Sequence, residues 1–426
     1  MIMLNCDDDI VITYLNTLWY GTYYNNISFM KIIVYITSFF SKIYNSPYTF
    51  ISNVKNNLYN LRKLGLHVYH NMTLENEMLI NEEVFNTEIN YAYNYIYGNQ
   101  FNRIDIMKKI CYCTIFPKYK SGDGSRPEHF RYLINHHTTI KILDRLWCYE
   151  VIKKCGTNLP DYDIYKVNIS KSYINNNLIN VADNNTQSIN NVVLLDIIRA
   201  FDSLEWNILE ELLISNLTRK INSYYANYFV NYYMTIIKNR IVRYKQYEIK
   251  VNKGIPTGLP SSTIIFTLII EEIIYRWTNK YKFKQYHDFI LNIYVDDIYI
   301  KIINNSKTKL IINSLMSYLN KYKLYINFKK SRADINLNLA FTQLTNKDCY
   351  LGIPFTRDKY LYSTIILDNL YQKHNLRLNW LEIYDILNSN EYDHRKPILY
   401  GFLNYKLKPL NYYNLYIIDY IAYNFI

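Results

Sequence analysis

Two short apolar runs in this chain carry carboxylates, and that combination constrains the fold more than any other feature. Val192-Val-Leu-Leu-Asp-Ile197 is a continuous apolar run with one acid near its end. Such a run fits a strand buried on both faces. A second apolar stretch, Phe289 to Ile302, is interrupted by Asp296-Asp297 and reads as two short strands joined in a hairpin with the acids at its tip. A carboxylate in such surroundings must be paired or bind a metal ion. Adjacent carboxylates also repel each other, so a bound divalent cation is the natural relief. Asp-Asp by itself is an ordinary turn sequence; the apolar strands flanking Tyr294-Val-Asp-Asp297 make it more specific.

Around these runs the chain alternates patterns. Residues 1–100 read as mostly helical, with weak boundaries. Ile110 to Pro117 predicts a strand, Lys118 to Arg126 a turn rich in Gly and Ser, and His129 to Ile134 a second strand, so a hairpin is expected there. Asp202-Ser203 predicts a helix cap, followed by helical periodicity from Leu204 to Leu217. Gly254-Ile-Pro-Thr-Gly-Leu-Pro260 predicts a rigid loop, and Ser261 to Trp277 a long, largely buried helix. Leu310 to Tyr322 is helical again, and the last 60 or so residues have a helical bias.

Composition narrows the setting more than the chemistry. Tyr reaches 48 while Gly is 10 and Pro 9. Tyr, Asn, Ile and Lys, all with A/T-rich codons, dominate, so coding bias accounts for the tyrosines without a functional reading of each. The net charge of +12 suits a phosphate-rich partner, although the same bias inflates Lys. Cysteines 6, 111, 113, 148, 155 and 349 lack zinc-site spacing and predict free thiols in a reducing compartment. The acidic N-terminus is unlike a signal peptide. Phe29 to Phe40 is broken by Lys31 and falls short of the about 20 residues of a membrane span, so it predicts a buried helix. A soluble, intracellular protein with no membrane partner is expected.

Six motifs in order, from about residue 113 to 357, resemble reverse transcriptases, and most closely those of non-LTR retrotransposons and group II introns. Phe116-Pro-Lys-Tyr-Lys120, Phe130-Arg-Tyr-Leu-Ile-Asn135 and Ile140-Lys-Ile-Leu143 look like the fingers pattern. Leu195-Asp-Ile-Ile-Arg-Ala-Phe-Asp-Ser-Leu204 is similar to the first palm motif and Gly254 to Ser262 to the second. Tyr294-Val-Asp-Asp297 matches the third, Asn327-Phe-Lys-Lys-Ser331 resembles the fourth, and Tyr350-Leu-Gly-Ile-Pro354 looks like the primer-grip turn.

The resemblance implies an α+β right-hand polymerase whose antiparallel palm sheet is backed by helices. It implies a helical N-terminal extension (1–100), fingers (101–190), palm (191–360, with a finger insertion around 218–250) and a helical thumb (361–426). Asp196, Asp296 and Asp297 would hold two Mg2+ ions, with Mn2+ as a substitute, and Lys330 would act as general acid toward the leaving pyrophosphate. Lys118 and Arg131 would touch the incoming triphosphate. Phe201 would pack under the sugar and exclude a 2′-hydroxyl, or else pin strand to helix. Thr257 stands where most of the family has Gln, beside Gly258, in a loop whose backbone approaches the substrate. The implied partners are an RNA template, a DNA or RNA primer and deoxynucleoside triphosphates. An RNA-dependent RNA polymerase is the first alternative, but it would carry Asp where Phe201 stands and Asn within Thr263–Glu272. A non-catalytic, maturase-like RNA-binding protein is the second, and the retained acids argue against it.

Overall fold

The computed structural model describes residues 8–18, 111–120, 123–155, 191–334, 341–345, 347–350, 353–355, 359–406, 421–422 and 426. The expected buried helix at 29–40 and most of the N-terminal extension lie outside them. Six of the eight strand pairings among the described residues are antiparallel. The mixture of such sheets with helices is the expected α+β class. The chain divides into two compact units, 1–160 with 197–282 and 314–325, and 161–196 with 283–313 and 326–426.

The first unit holds a four-stranded sheet in the order β2-β1-β4-β5. Strands β1 (Tyr112–Tyr119) and β2 (Phe130–His136) form the expected hairpin, about two residues further on. Strands β4 (Ile241–Tyr244) and β5 (Tyr247–Lys250) form a second hairpin, which joins β1 in parallel. Side chains of β2 alternate strictly between buried and exposed, so one face of the hairpin meets a core and the other meets solvent. Helix α1 (Asp8–Leu18) covers the buried face: Val11, Tyr14 and Leu15 pack with Cys113, Ile115, Phe130, Tyr132, Ile134 and Val242. Tyr14 stacks flat on Tyr132, ring centres 3.7 Å apart.

The long helix α5 (Ser261–Tyr281) is apolar on nearly every side and buries 14 of its residues, as a helix without a polar stripe must. Its first turn leaves backbone N–H groups unpaired. Buried Asp144, on helix α2 (Thr138–Cys155), accepts one from Ser261 N at 2.7 Å. Helices α3 (Trp206–Lys220) and α4 (Ser223–Lys238) lie in the same unit. Asp202-Ser203 does not cap α3: both sit in a separate helical turn, Ala200–Ser203, and Glu205 occupies the cap position. Asp202 instead accepts a hydrogen bond from Tyr14, and desolvation raises its carboxyl above the usual range.

The second unit is built on a five-stranded sheet in the order β6-β7-β3-β8-β9. Strand β3 (Val192–Asp196) is central, as its apolar run predicts. Strands β6 (Phe289–Tyr294) and β7 (Asp297–Ile302) form the acid-tipped hairpin, and β8 (Arg332–Ala333) and β9 (Thr342–Gln343) complete the sheet. A small hairpin, β10 (Cys349–Tyr350) with β11 (Ile353–Pro354), follows. Helix α6 (Thr308–Lys321) starts in this unit. Three C-terminal helices, α7 (Lys359–His374), α8 (Trp380–Asn388) and α9 (Lys396–Lys406), gather Ile366, Leu370, Ile383, Leu387, Leu399 and Leu403 into a core of their own. Phe402 is buried in the same core. Asn379 and Glu382 cap α8 reciprocally.

Candidate active site

The register of the second sheet brings the acids together. Asp196, the last residue of β3, is paired with Asp297, the first of β7, and Asp297 is paired in turn with Tyr294. Directly opposed residues have Cβ atoms about 4.5–5.5 Å apart, so two carboxylates share one end of the sheet. Val295 and Asp296 form the two-residue turn. Val295 has φ +57°, which a β-branched residue rarely adopts; its side chain is buried, and that burial offsets part of the strain.

The segment 327–331 holds the end of β3. Asn327 N donates to Asp196 O at 2.8 Å, and Asp196 N donates to the Ser331 hydroxyl at 3.1 Å. Lys330, between them, places its Nζ 3.7 Å from Asp196 Oδ1. Partial burial pushes the Asp297 carboxyl up to about 6, with Asp296 and Asp196 adding repulsion and Lys330 opposing it. A cavity of about 270 Å³ opens here, lined by Asp196, Asp297, Lys330, Arg332, Asp348 and Tyr350 among others. Arg332 and Asp348 face each other at 3.6 Å.

The other predicted residues belong to the first unit. Lys118 and Arg131 are direct partners across the β1–β2 hairpin, both on its exposed face. Next to them on that face stands the pair Phe116 and Leu133, also exposed. Half-buried Phe201 stacks on Phe266 of α5, ring centres 5.0 Å apart, so the pinning contact is present. The Thr257 hydroxyl donates to Tyr132 O at 2.6 Å, and Ile134 N donates to Thr257 O at 2.9 Å. The loop is therefore sewn to β2. Gly258 (φ +143°) lies so close to β2 that a Cβ would sit 2.0 Å from Ile134 O. The close approach this glycine permits is to protein backbone.

The reverse transcriptase (RNA-dependent DNA polymerase) family model matches residues 120–355, more than half of the chain. The chain belongs to the reverse transcriptase family. Apo telomerase from Candida tropicalis, truncated from its C-terminal domain, is similar over 52% of this chain and 50% of that one, at 17% identity and a TM-score of 0.38. Telomerase from Candida tropicalis in complex with a TWJ fragment of telomeric RNA is similar over 69% and 53%, at 15% identity and a TM-score of 0.42. The chain spans about half the length of these structures. No curated protein matches it. Among the described residues, no helix is long and apolar enough to cross a membrane.

In a reverse transcriptase the acid-bearing sheet is the palm of a right-hand polymerase fold, and the family generally uses divalent metal ions. Among the described residues, no three His, Cys, Asp or Glu side chains converge into a ready-made metal cage. Mg2+ does not require one, since it is commonly held by one or two carboxylates together with substrate phosphates and water. The residues fit that mode: hard oxygen donors face each other on adjacent strands, and Lys330 opposes their repulsion from 3.7 Å. Sequence reasoning missed Ser331, Arg332 and Asp348 beside these acids. Ser331 closes the fourth motif, which was a signal; Arg332 and Asp348 had none.

Proposed function

We propose that the chain is an RNA-directed DNA polymerase of the non-LTR retrotransposon and group II intron type, extending a primer 3′ end along an RNA template. The observation that carries this reading is the register placing Asp196 opposite Asp297, with Asp296 in the intervening turn. Asp196, Asp296 and Asp297 would hold two Mg2+ ions, which when bound lower the pKa of an attacking hydroxyl and offset charge on a leaving pyrophosphate.

The chain's own residues divide the remaining work. Lys330, half-exposed and adjacent to Asp196, would donate a proton to the pyrophosphate. Lys118 and Arg131, paired on the exposed hairpin face, would grip the triphosphate of a deoxynucleotide. Arg offers a planar fork and Lys a mobile charge for such oxygens. Phe201, braced by Phe266, would set the sugar preference. Thr257 and Gly258 would shape the nucleotide site through the backbone they tie to β2.

The hairpin β1–β2 supports a fingers assignment for 101–190, and its pairing with β4 supports a finger insertion around 218–250. The acid-bearing sheet supports a palm at 191–360, the three helices after residue 359 a thumb at 361–426, and α1 a helical extension within 1–100. Primer extension on a primed RNA template, with deoxy- and ribonucleotides compared, tests the proposal. Deoxynucleotides should be incorporated in strong preference, and Phe201→Ala should narrow that preference. Incorporation of ribonucleotides alone would favour an RNA-dependent RNA polymerase; template binding without incorporation would favour a maturase-like role.

A further inference from the structure

We propose that Tyr350 is a positioning residue whose hydroxyl holds both strands of the Asp296–Asp297 hairpin and so sets where those carboxylates stand. The inference rests on reading these acids as the metal-binding site. The Tyr350 hydroxyl lies 3.2 Å from Asn292 O on β6 and 3.2 Å from Asp297 O at the start of β7. Having one proton, it donates to one carbonyl at a time, and the two bonds between them tie both strands at the closed end of the hairpin.

The hairpin has reason to need such a tie. Its turn passes through Val295 at φ +57°, and a strained residue persists only where its surroundings over-determine it. Strand β6 is at the sheet edge, with no strand on its outer side among the described residues. Tyr350 is itself firmly placed: it is 3% exposed, and its ring rests on Tyr299, which stacks on Phe355. It also shares a cavity wall with Asp196 and Asp297. A small displacement of a ligand-bearing turn is enough to weaken a site that depends on geometry.

Tyr299 supplies a built-in control. It lies in the same ring stack, and its buried hydroxyl has no hydrogen-bond partner among the described residues. Tyr299 is itself a β7 residue; removing either hydroxyl takes the same atom from the same core, but only that of Tyr350 is hydrogen-bonded to the hairpin backbone.

The test compares Tyr350→Phe and Tyr299→Phe in the full chain. Mn2+ binding is followed by its electron paramagnetic resonance signal, and the half-saturating Mg2+ concentration is read in primer extension. Tyr350→Phe should weaken metal affinity about three- to tenfold, the scale of one lost hydrogen bond. Tyr299→Phe should leave it unchanged, and both should keep the melting temperature and the primer–template affinity measured in EDTA. Unchanged Mn2+ affinity in Tyr350→Phe overturns the proposal, as does a loss confined to primer–template binding or failure of that variant to fold. Mn2+ binding needs no turnover. The tyrosine contrast in Mn2+ binding, found together with a wild-type chain that extends no primer, would therefore sink the polymerase reading alone.

Discussion

Asp297 is costly where it stands, and its cost has a pH signature. Its carboxyl is pushed up to about 6, first by burial and then by Asp296 and Asp196. Between about pH 4 and pH 6 the folded chain therefore binds more protons at this site than the unfolded chain, and stability falls as pH rises through that window. A bound cation reverses the preference by favouring the charged form. The rise in melting temperature on adding Mg2+ is accordingly expected to be larger at about pH 7.5 than at about pH 5. Scanning fluorimetry at the two values checks it, and an equal rise at both would contradict it. Asp196, Asp296 and Asp297 were legible as residues because acids in apolar runs are conspicuous, and Lys330 only through the resemblance of Asn327–Ser331 to the fourth motif. The grips of Ser331 and Tyr350 were not, since each depends on a contact closed over 135 and 53 or more residues of chain. Tyr350 was further hidden among 48 tyrosines.

At the scale of elements, the loop 254–260 is the clearest case of sequence and structure giving different weight to the same residues. Its glycines and prolines predict a rigid loop; the structure shows it hydrogen-bonded to β2. Gly258→Ala would bring a Cβ to 2.0 Å from Ile134 O at a φ reserved for glycine. It should destabilise the chain by about 2–4 kcal/mol, seen as a lower urea midpoint; an unchanged midpoint would mean that loop and strand separate easily. Asp144→Ala should cost about 1–2 kcal/mol by leaving the first turn of α5 without its acceptor, measurable in the same way. The central strand, the acid-tipped hairpin and the long buried helix were all readable, because continuous apolar runs and helical periodicity speak locally. Helix α3 begins at Trp206, two residues after the Leu204 from which its periodicity was read. Asp202 looks like a cap by type, yet its carboxyl is committed to Tyr14, nearly 190 positions away.

For the whole molecule, the +12 charge predicts that nucleic-acid binding is dominated by phosphate contacts. Affinity for a primed RNA template should fall by about 10³-fold between 50 and 200 mM salt if six or more phosphates are neutralised, and should vary little with template sequence. Fluorescence anisotropy across that range checks both, and a salt-independent affinity would point to a different kind of partner. The division into two compact units was not legible. Both are assembled from segments far apart in sequence, and Lys118, Arg131, Phe201, Thr257 and Gly258 fall in one while the acids and Lys330 fall in the other. The measurement that reaches the centre of this account is single-turnover primer extension by Asp196→Asn, with primer–template affinity measured alongside. Removing one carboxylate charge should forfeit several kcal/mol of charge stabilisation, about three orders of magnitude in rate, while binding is retained. Extension at the wild-type rate would contradict the claim that Asp196, Asp296 and Asp297 carry the chemistry.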